Sequence, residues 1–166
     1  MAKRILVVID MQKGAAQGGY HGRYLNKKWW KQHEAVVARI RVLSKKMETI
    51  FQIHTDFRKK KFLEVVTGLA SIAQNSRVIF KGEDDGSAGL AEIISKDTHI
   101  YVCGMNTDAC IQQTVRGLKA RGYYTVTVVG DACWTVYASD SPESHVRALR
   151  MLQRNGVRIL ETKAVR

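Results

Sequence analysis

Proline is almost absent: Pro142 is the only one in 166 residues. This leaves no material for an extended proline-rich linker and argues against a long disordered tail. Cysteine is scarce as well. Cys103, Cys110 and Cys133 are odd in number and have no paired spacing, which excludes a disulfide framework and a cysteine-rich zinc site. They predict free thiols in a reducing, cytoplasmic setting. No apolar run approaches the roughly 18–20 residues that cross a bilayer, so no membrane association is expected. Met1–Arg4 followed by Ile5–Ile9 has the outline of a signal peptide. Its apolar core is short, however, and ends on Asp10 with no small-residue cleavage site, so it is read as a first strand. Negative charge is the scarcer sign, with 15 acidic residues against 27 basic ones and a net charge of +12. Lys27-Lys28, Lys45-Lys46 and Arg58–Lys61 are the densest basic clusters, and Trp29-Trp30 adjoins the first. Basic surfaces with aromatics can bind nucleic acid. These clusters are spread along the chain without a nucleic-acid module motif, so a solvated or anion-attracting surface is expected instead.

Hydrophobic residues make up 45% and charged residues 25% of the chain, enough for one domain over 1–166 with a core of its own. Apolar, β-branched runs at Ile5–Ile9, Thr49–Ile53, Arg77–Phe80, His99–Cys103, Thr125–Val129 and Val157–Leu160 predict strands. Most are apolar throughout, as parallel strands covered on both faces are. Helical patterns fall between them, near Trp30–Met47, Phe62–Ala73, Gly89–Ser95, Thr107–Arg121 and Ser141–Asn155. Ser141 and Pro142 suit the last helix's start, and Gly156 its end. This alternation predicts a three-layer α/β/α domain.

In such folds ligands sit beyond the carboxyl ends of the strands. Asp10, His54 with Asp56, Lys81, Cys110 and Asp131 follow successive strands there. Ile111, Val115 and Leu118 recur at helical spacing, with Thr107 as the expected N-cap, which puts Cys110 in a first helical turn. Amides there favour negative charge, so a thiolate and an oxyanion would both be stabilised. A thiol nucleophile also needs a base, for which Asp10 serves, and a positive charge to depress its pKa, for which Lys81 serves.

Val7-Val8-Ile9-Asp10-Met11-Gln12, Val78-Ile79-Phe80-Lys81 with Gly86-Ser87-Ala88, and above all Cys103-Gly104-Met105-Asn106-Thr107-Asp108-Ala109-Cys110 resemble segments of the isochorismatase-like cysteine hydrolases. Val129-Gly130-Asp131-Ala132 and Glu143-Ser144-His145 through Leu152 look like the family's later strand and final helix. The resemblance implies a catalytic triad of Asp10, Lys81 and Cys110 acting on a small amide through a thioester. It also implies a cis peptide between Met105 and Asn106 that aims the Asn106 and Cys110 amides at the substrate oxygen. Gln12, His54, Trp134 and Tyr137 are the candidate substrate-pocket residues, with Tyr20 and Trp29 as further candidates for an aromatic wall. The chain is short for the family, so a lid is small or comes from another subunit, and a homo-oligomer is expected.

Members that hydrolyse nicotinamide carry a metal near the end of strand two, on an Asp-x-His arrangement with a further histidine. Here the order is reversed, His54-Thr55-Asp56, and no histidine follows before Asn75. No cofactor is therefore expected. His54 and Asp56 are weak candidates for a divalent metal, whose site waters or a distant histidine such as His21 or His33 would complete. Two alternatives to a general amidase stand beside nicotinamidase itself: isochorismate hydrolysis by acid chemistry, and a catalytically idle scaffold that binds an acidic partner or nucleic acid through its basic surface. The expected sheet is parallel and six-stranded, in the order 3-2-1-4-5-6, with helices on both faces. That order leaves Lys81 about 10 Å of sheet to cross to reach Asp10.

Overall fold

The computed structural model describes residues 3–13, 27–55, 63–135 and 143–166, with 27–29 described by backbone alone. Its strands are β1 (Arg4–Ile9), β2 (Glu48–His54), β3 (Arg77–Lys81), β4 (His99–Met105), β5 (Val126–Trp134) and β6 (Arg158–Leu160). They form one six-stranded sheet in the order β3-β2-β1-β4-β5-β6, all neighbours parallel. Among the described residues the α-helices are α1 (Lys27–Ser44), α2 (Ala70–Gln74), α3 (Ser87–Ala91), α4 (Gln112–Ala120) and α5 (Glu143–Arg154). The expected topology is the observed one.

The central strands explain the layering. Ile5 to Ile9 of β1 are all buried, and successive side chains of a strand point to opposite faces. Both faces of the sheet are therefore covered. Val36, Ile40 and Leu43 of α1, Val115 and Leu118 of α4 and Leu152 of α5 join the strand residues in one core cluster. Their spacing of three and four residues is the apolar stripe that a helix lays on a sheet.

Three expectations are corrected. β5 does not stop at Val129 but runs on to Trp134. Val102 faces Val128 while Gly104, two residues on, faces Cys133, five residues on. The extra residues bulge out of register, which a β-bulge permits and an apolar pattern does not reveal. Asp131 therefore lies within the strand, where its Oδ1 accepts from Thr162 N (2.8 Å) and Thr162 Oγ1 (2.9 Å) and its Oδ2 pairs with Arg39 (3.0 Å). It ties the C-terminal turn and α1 to the sheet. Where a helix is expected over Phe62–Ala73, the described residues from 63 onward hold a 3₁₀ turn, Thr67–Leu69, followed by the short α2. The helix expected from Thr107 begins as a π turn, Thr107–Ile111, and becomes α-helical only at Gln112. Ser141 and Pro142 lie outside the described residues.

Candidate active site

Asp10 directly follows β1 and has a left-handed backbone, φ 52°. Aspartate tolerates this region better than most residues, though not as freely as glycine. The amide of Asp10 still donates to Gln52 O (2.9 Å), and Gln12 N reaches back to Asp10 O (2.8 Å). The chain thus turns sharply at the carboxyl end of β1 and holds the carboxylate over the strand ends. β3 ends on Lys81, whose register partner on the intervening strand is His54. The lysine side chain crosses that strand: its Nζ lies 3.2 Å from Asp10 Oδ2, with both side chains buried. Nζ also donates to Glu83 O at 3.0 Å. Lys81 O accepts from Thr55 N (2.9 Å) and Thr55 Oγ1 (3.1 Å), which fixes the end of β3 against that of β2.

Cys110 arrives from the other side. Gly104, opposite Ile9, has φ +113°, and a Cβ there would stand 2.1 Å from Ile9 O. Only glycine lets β4 approach β1 so closely before the chain turns away. The next peptide but one, Met105–Asn106, is cis. The π turn follows, with Ile111 N bonding to Asn106 O at 3.1 Å, and Cys110 projects from it, buried. Asn106, rather than Thr107, occupies the N-cap position. Thr107 is instead committed to His145, Oγ1 to Nδ1 at 2.9 Å.

The thiol meets two carboxylates. Sγ donates to Asp84 Oδ1 at 3.2 Å. It is also electrostatically coupled to Asp10, whose Oδ1 is buried with no hydrogen-bond partner among the described residues. Burial raises the pKa of Asp10 above the ordinary carboxylate value, and the Lys81 charge opposes that rise. Burial also raises the Cys110 thiol, the negative charge of Asp10 raises it further, and Lys81 pulls it down by less. This corrects the expected depression of the thiol's pKa. The lysine is present, but desolvation and the carboxylates outweigh it. The resting group is a neutral thiol beside a carboxylate of increased basicity.

Asp84 was missed by the sequence reading. It stands three residues beyond Lys81 in Glu83-Asp84-Asp85, and the same strand-end rule that selected Asp10 would have found it. Its loop is firmly held. Gln52 Nε2 donates to Gly86 O (2.8 Å), Gly86 N to Thr114 Oγ1 (3.0 Å), and Thr114 Oγ1 to Asp84 O (3.2 Å). Gln113 Nε2 reaches Asp84 Oδ2 at 3.2 Å.

The remaining candidates divide. Gln12 is fully buried and its amide clamps the His54 backbone, Nε2 to O at 3.0 Å and Oε1 from N at 2.9 Å. It positions the end of β2 with the amide that was expected to face substrate. His54 points into the site, its Nε2 3.7 Å from Asp84 Oδ1. Trp134, level with Met105 in the β4–β5 register, packs its ring against His145 at 5.1 Å between centroids. Tyr137, Asp56, Tyr20 and His21 lie outside the described residues, as does the side chain of Trp29. Of the expected metal pair only His54 is described; among the described residues it groups with Asp84 and the Cys110 thiol, one ligand atom of each within 4.8 Å of the others. His33 is buried on α1, with its ring against Trp30. Cys103 and Cys133 are buried in the sheet, and burial pushes both thiols up.

The arrangement suits acyl chemistry: a thiol, a buried carboxylate and a buried cation gathered beyond the ends of β1, β3 and β4. Among solved structures the fold recurs widely. A cysteine hydrolase from Pseudomonas syringae superposes with TM-score 0.80 at 20% identity, covering 98% of this chain and 90% of that one. The nicotinamidase of Staphylococcus aureus gives 0.74 at 17%, covering 97% and 100%. The MAR1 ribonuclease of Caenorhabditis elegans gives 0.74 at 22%, covering 98% and 79%. No curated protein matches in sequence. Among the described residues no helix is long and apolar enough to cross a membrane. The profile of the isochorismatase domain matches residues 4–164, nearly the whole chain, so this protein belongs to the isochorismatase family and is an isochorismatase-like hydrolase.

Proposed function

We propose that the protein hydrolyses the C–N bond of a small amide through a Cys110 thioester, with Asp10 and Lys81 completing the triad. The observation that carries this reading is the meeting of three chain segments at one point: Lys81 on Asp10 at 3.2 Å, and Cys110 against the same carboxylate. Asp10 takes the thiol proton at Oδ1 while Sγ attacks the amide carbonyl carbon, so a free thiolate is never required at rest. The carbonyl electrons move onto oxygen, which the backbone amides of Asn106 and Cys110 receive. Asp10 returns the proton to the leaving nitrogen, the C–N bond breaks, and ammonia or an amine departs. Water, deprotonated by Asp10, then attacks the thioester. The acid product leaves and the thiol is restored. Lys81 keeps Asp10 in place and ionised enough to act as the base.

Trp134 and His145 pack together beside Met105 and Thr107, an aromatic and polar face that suits a flat, small substrate. The nicotinamidase neighbour agrees with such a substrate class. Screening ammonia release over a panel of small amides, nicotinamide included, tests the reading. Turnover by the native chain, and none by a folded Cys110→Ala variant, is the expected result. Turnover that survives in Cys110→Ala overturns it.

The net charge of +12 favours a second reading, a polyanionic substrate, and one fold neighbour is a ribonuclease. Salt-sensitive cleavage of single-stranded RNA with no amide turnover would establish it.

A further inference from the structure

Asp84 Oδ1 accepts from Cys110 Sγ at 3.2 Å and lies 3.7 Å from His54 Nε2. One ligand atom from each of the three residues falls within 4.8 Å of the others. Around tetrahedral zinc, bonds of about 2.3 Å to sulfur and about 2.0–2.1 Å to nitrogen and oxygen set neighbouring ligands about 3.3–3.6 Å apart. The two separations from Asp84, 3.2 and 3.7 Å, bracket those values, and the third pair, His54 with Cys110, lies within 4.8 Å. We propose that His54, Asp84 and Cys110 form a thiolate-containing site for zinc or a similar borderline-soft divalent cation, and that the cation switches the enzyme off by capturing its nucleophile. The switch-off rests on the triad reading above; the site does not.

Chemistry and charge both fit. Imidazole, carboxylate and thiolate are the three ligand types zinc favours, and three protein ligands leave one position for water. Binding replaces the thiol proton, which leaves to solvent, by the metal. Neutral His54, ionised Asp84 and the Cys110 thiolate then balance the dication without involving the Asp10–Lys81 pair. The ligands come from rigid places. Gln12 grips the His54 backbone on both sides, Thr114 holds the Asp84 carbonyl, and the π turn carries Cys110. Little ordering remains to be done on binding, which favours affinity. A metal-held thiolate has its lone pair engaged and cannot attack a carbonyl, so this cation opposes the proposed reaction. It also differs from a metal that holds substrate, because the nucleophile is one of its ligands.

Cobalt(II) reports such a site directly. The full-length protein, stripped with a chelator and dialysed, is titrated with cobalt chloride and followed by absorption. The expected result is saturation at one cobalt per chain, with a thiolate-to-cobalt charge-transfer band in the near ultraviolet and intense visible bands of tetrahedral cobalt. Zinc should displace them. Cys110→Ser should lose the charge-transfer band, and Cys133→Ser should keep it. Asp84→Asn, a half-exposed position that leaves the fold alone, should weaken cobalt affinity at least about tenfold, as should His54→Gln. Absence of the band, or its persistence at native affinity in both Asp84→Asn and His54→Gln, overturns the proposal. The readout is spectroscopic, so a protein inactive on every amide would still reveal the site. Conversely, an active amidase without the band would leave the triad reading standing and remove this one.

Discussion

Lys81 Nζ stands 3.2 Å from Asp10 Oδ2 although β2 separates their strands, and both side chains are buried. A buried pair of this kind is costly to break, because the partner left behind is an uncompensated charge. Lys81→Met should therefore lower stability by about 3–5 kcal/mol and remove turnover. The double variant Asp10→Asn/Lys81→Met should be less destabilised than the sum of the two single variants, since no charge is stranded. Urea denaturation of the four proteins measures the coupling. Additive losses would mean that the pair does not interact in solution.

The direction of the Cys110 shift gives a reactivity prediction. Burial, Asp10 and Asp84 raise the thiol's pKa, and the thiolate is the species that alkylates. Iodoacetamide should modify Cys110 slowly near neutral pH, with the rate climbing through the alkaline range. Cys103 and Cys133, buried in the sheet, should react later still. Asp84→Asn should speed Cys110 modification at a fixed pH by about threefold or more, because it removes a nearby negative charge. Peptide mapping after timed alkylation reads all three sites. Fast labelling at neutral pH would show a thiolate at rest and contradict the neutral-thiol state.

Much of this was legible in the chain. The strands were legible as apolar, β-branched runs separated by helical patterns, and their order came with the family resemblance; Asp10 and Lys81 directly follow such runs, and Cys110 lies in the helical turn after one. What stayed hidden has a physical cause in each case. The bulge in β5 depends on inter-strand register, which no single segment encodes, so Asp131 was placed at a strand end that it does not occupy. The π turn at Thr107–Ile111 keeps helical side-chain periodicity nearly intact, so an ordinary first turn was expected. The thiol's pKa depends on a sum of burial and three charges; sequence exposed the lysine but neither the desolvation nor Asp84. Gln12 looked like a pocket residue because it follows Asp10 closely, yet its amide is satisfied by the His54 backbone.

Gly104 fixes how closely β4 approaches β1. A Cβ at that position would stand 2.1 Å from Ile9 O and 2.8 Å from Ile9 N, at φ +113°. Both obstacles are backbone, so no side-chain rotation relieves them. Gly104→Ala should cost more than about 3 kcal/mol and displace Cys110 relative to Asp10. Soluble expression, thermal denaturation and turnover check this together. A Gly104→Ala protein of native stability would show that β1 and β4 can part without loss.

His33 gives a pH prediction away from the site. Its ring is buried on α1, in edge contact with Trp30 at 5.7 Å, and burial lowers its pKa to about 4 from about 6.5 in an unfolded chain. Between those values the unfolded chain binds a proton that the folded protein refuses, so acid pulls the equilibrium toward unfolding. The contribution to stability is present in full above about pH 6.5 and is lost progressively as pH falls toward about 4, a span worth about 2–3 kcal/mol. His33→Phe keeps an aromatic ring against Trp30 and removes the titration. Urea midpoints of the native and His33→Phe proteins should therefore run together at about pH 7.5 and separate by about pH 4.5, with the native protein falling faster. Other titrating groups are common to both proteins and cancel in the difference. Parallel curves across that range would show that His33 takes up its proton in the folded protein as readily as in the unfolded chain.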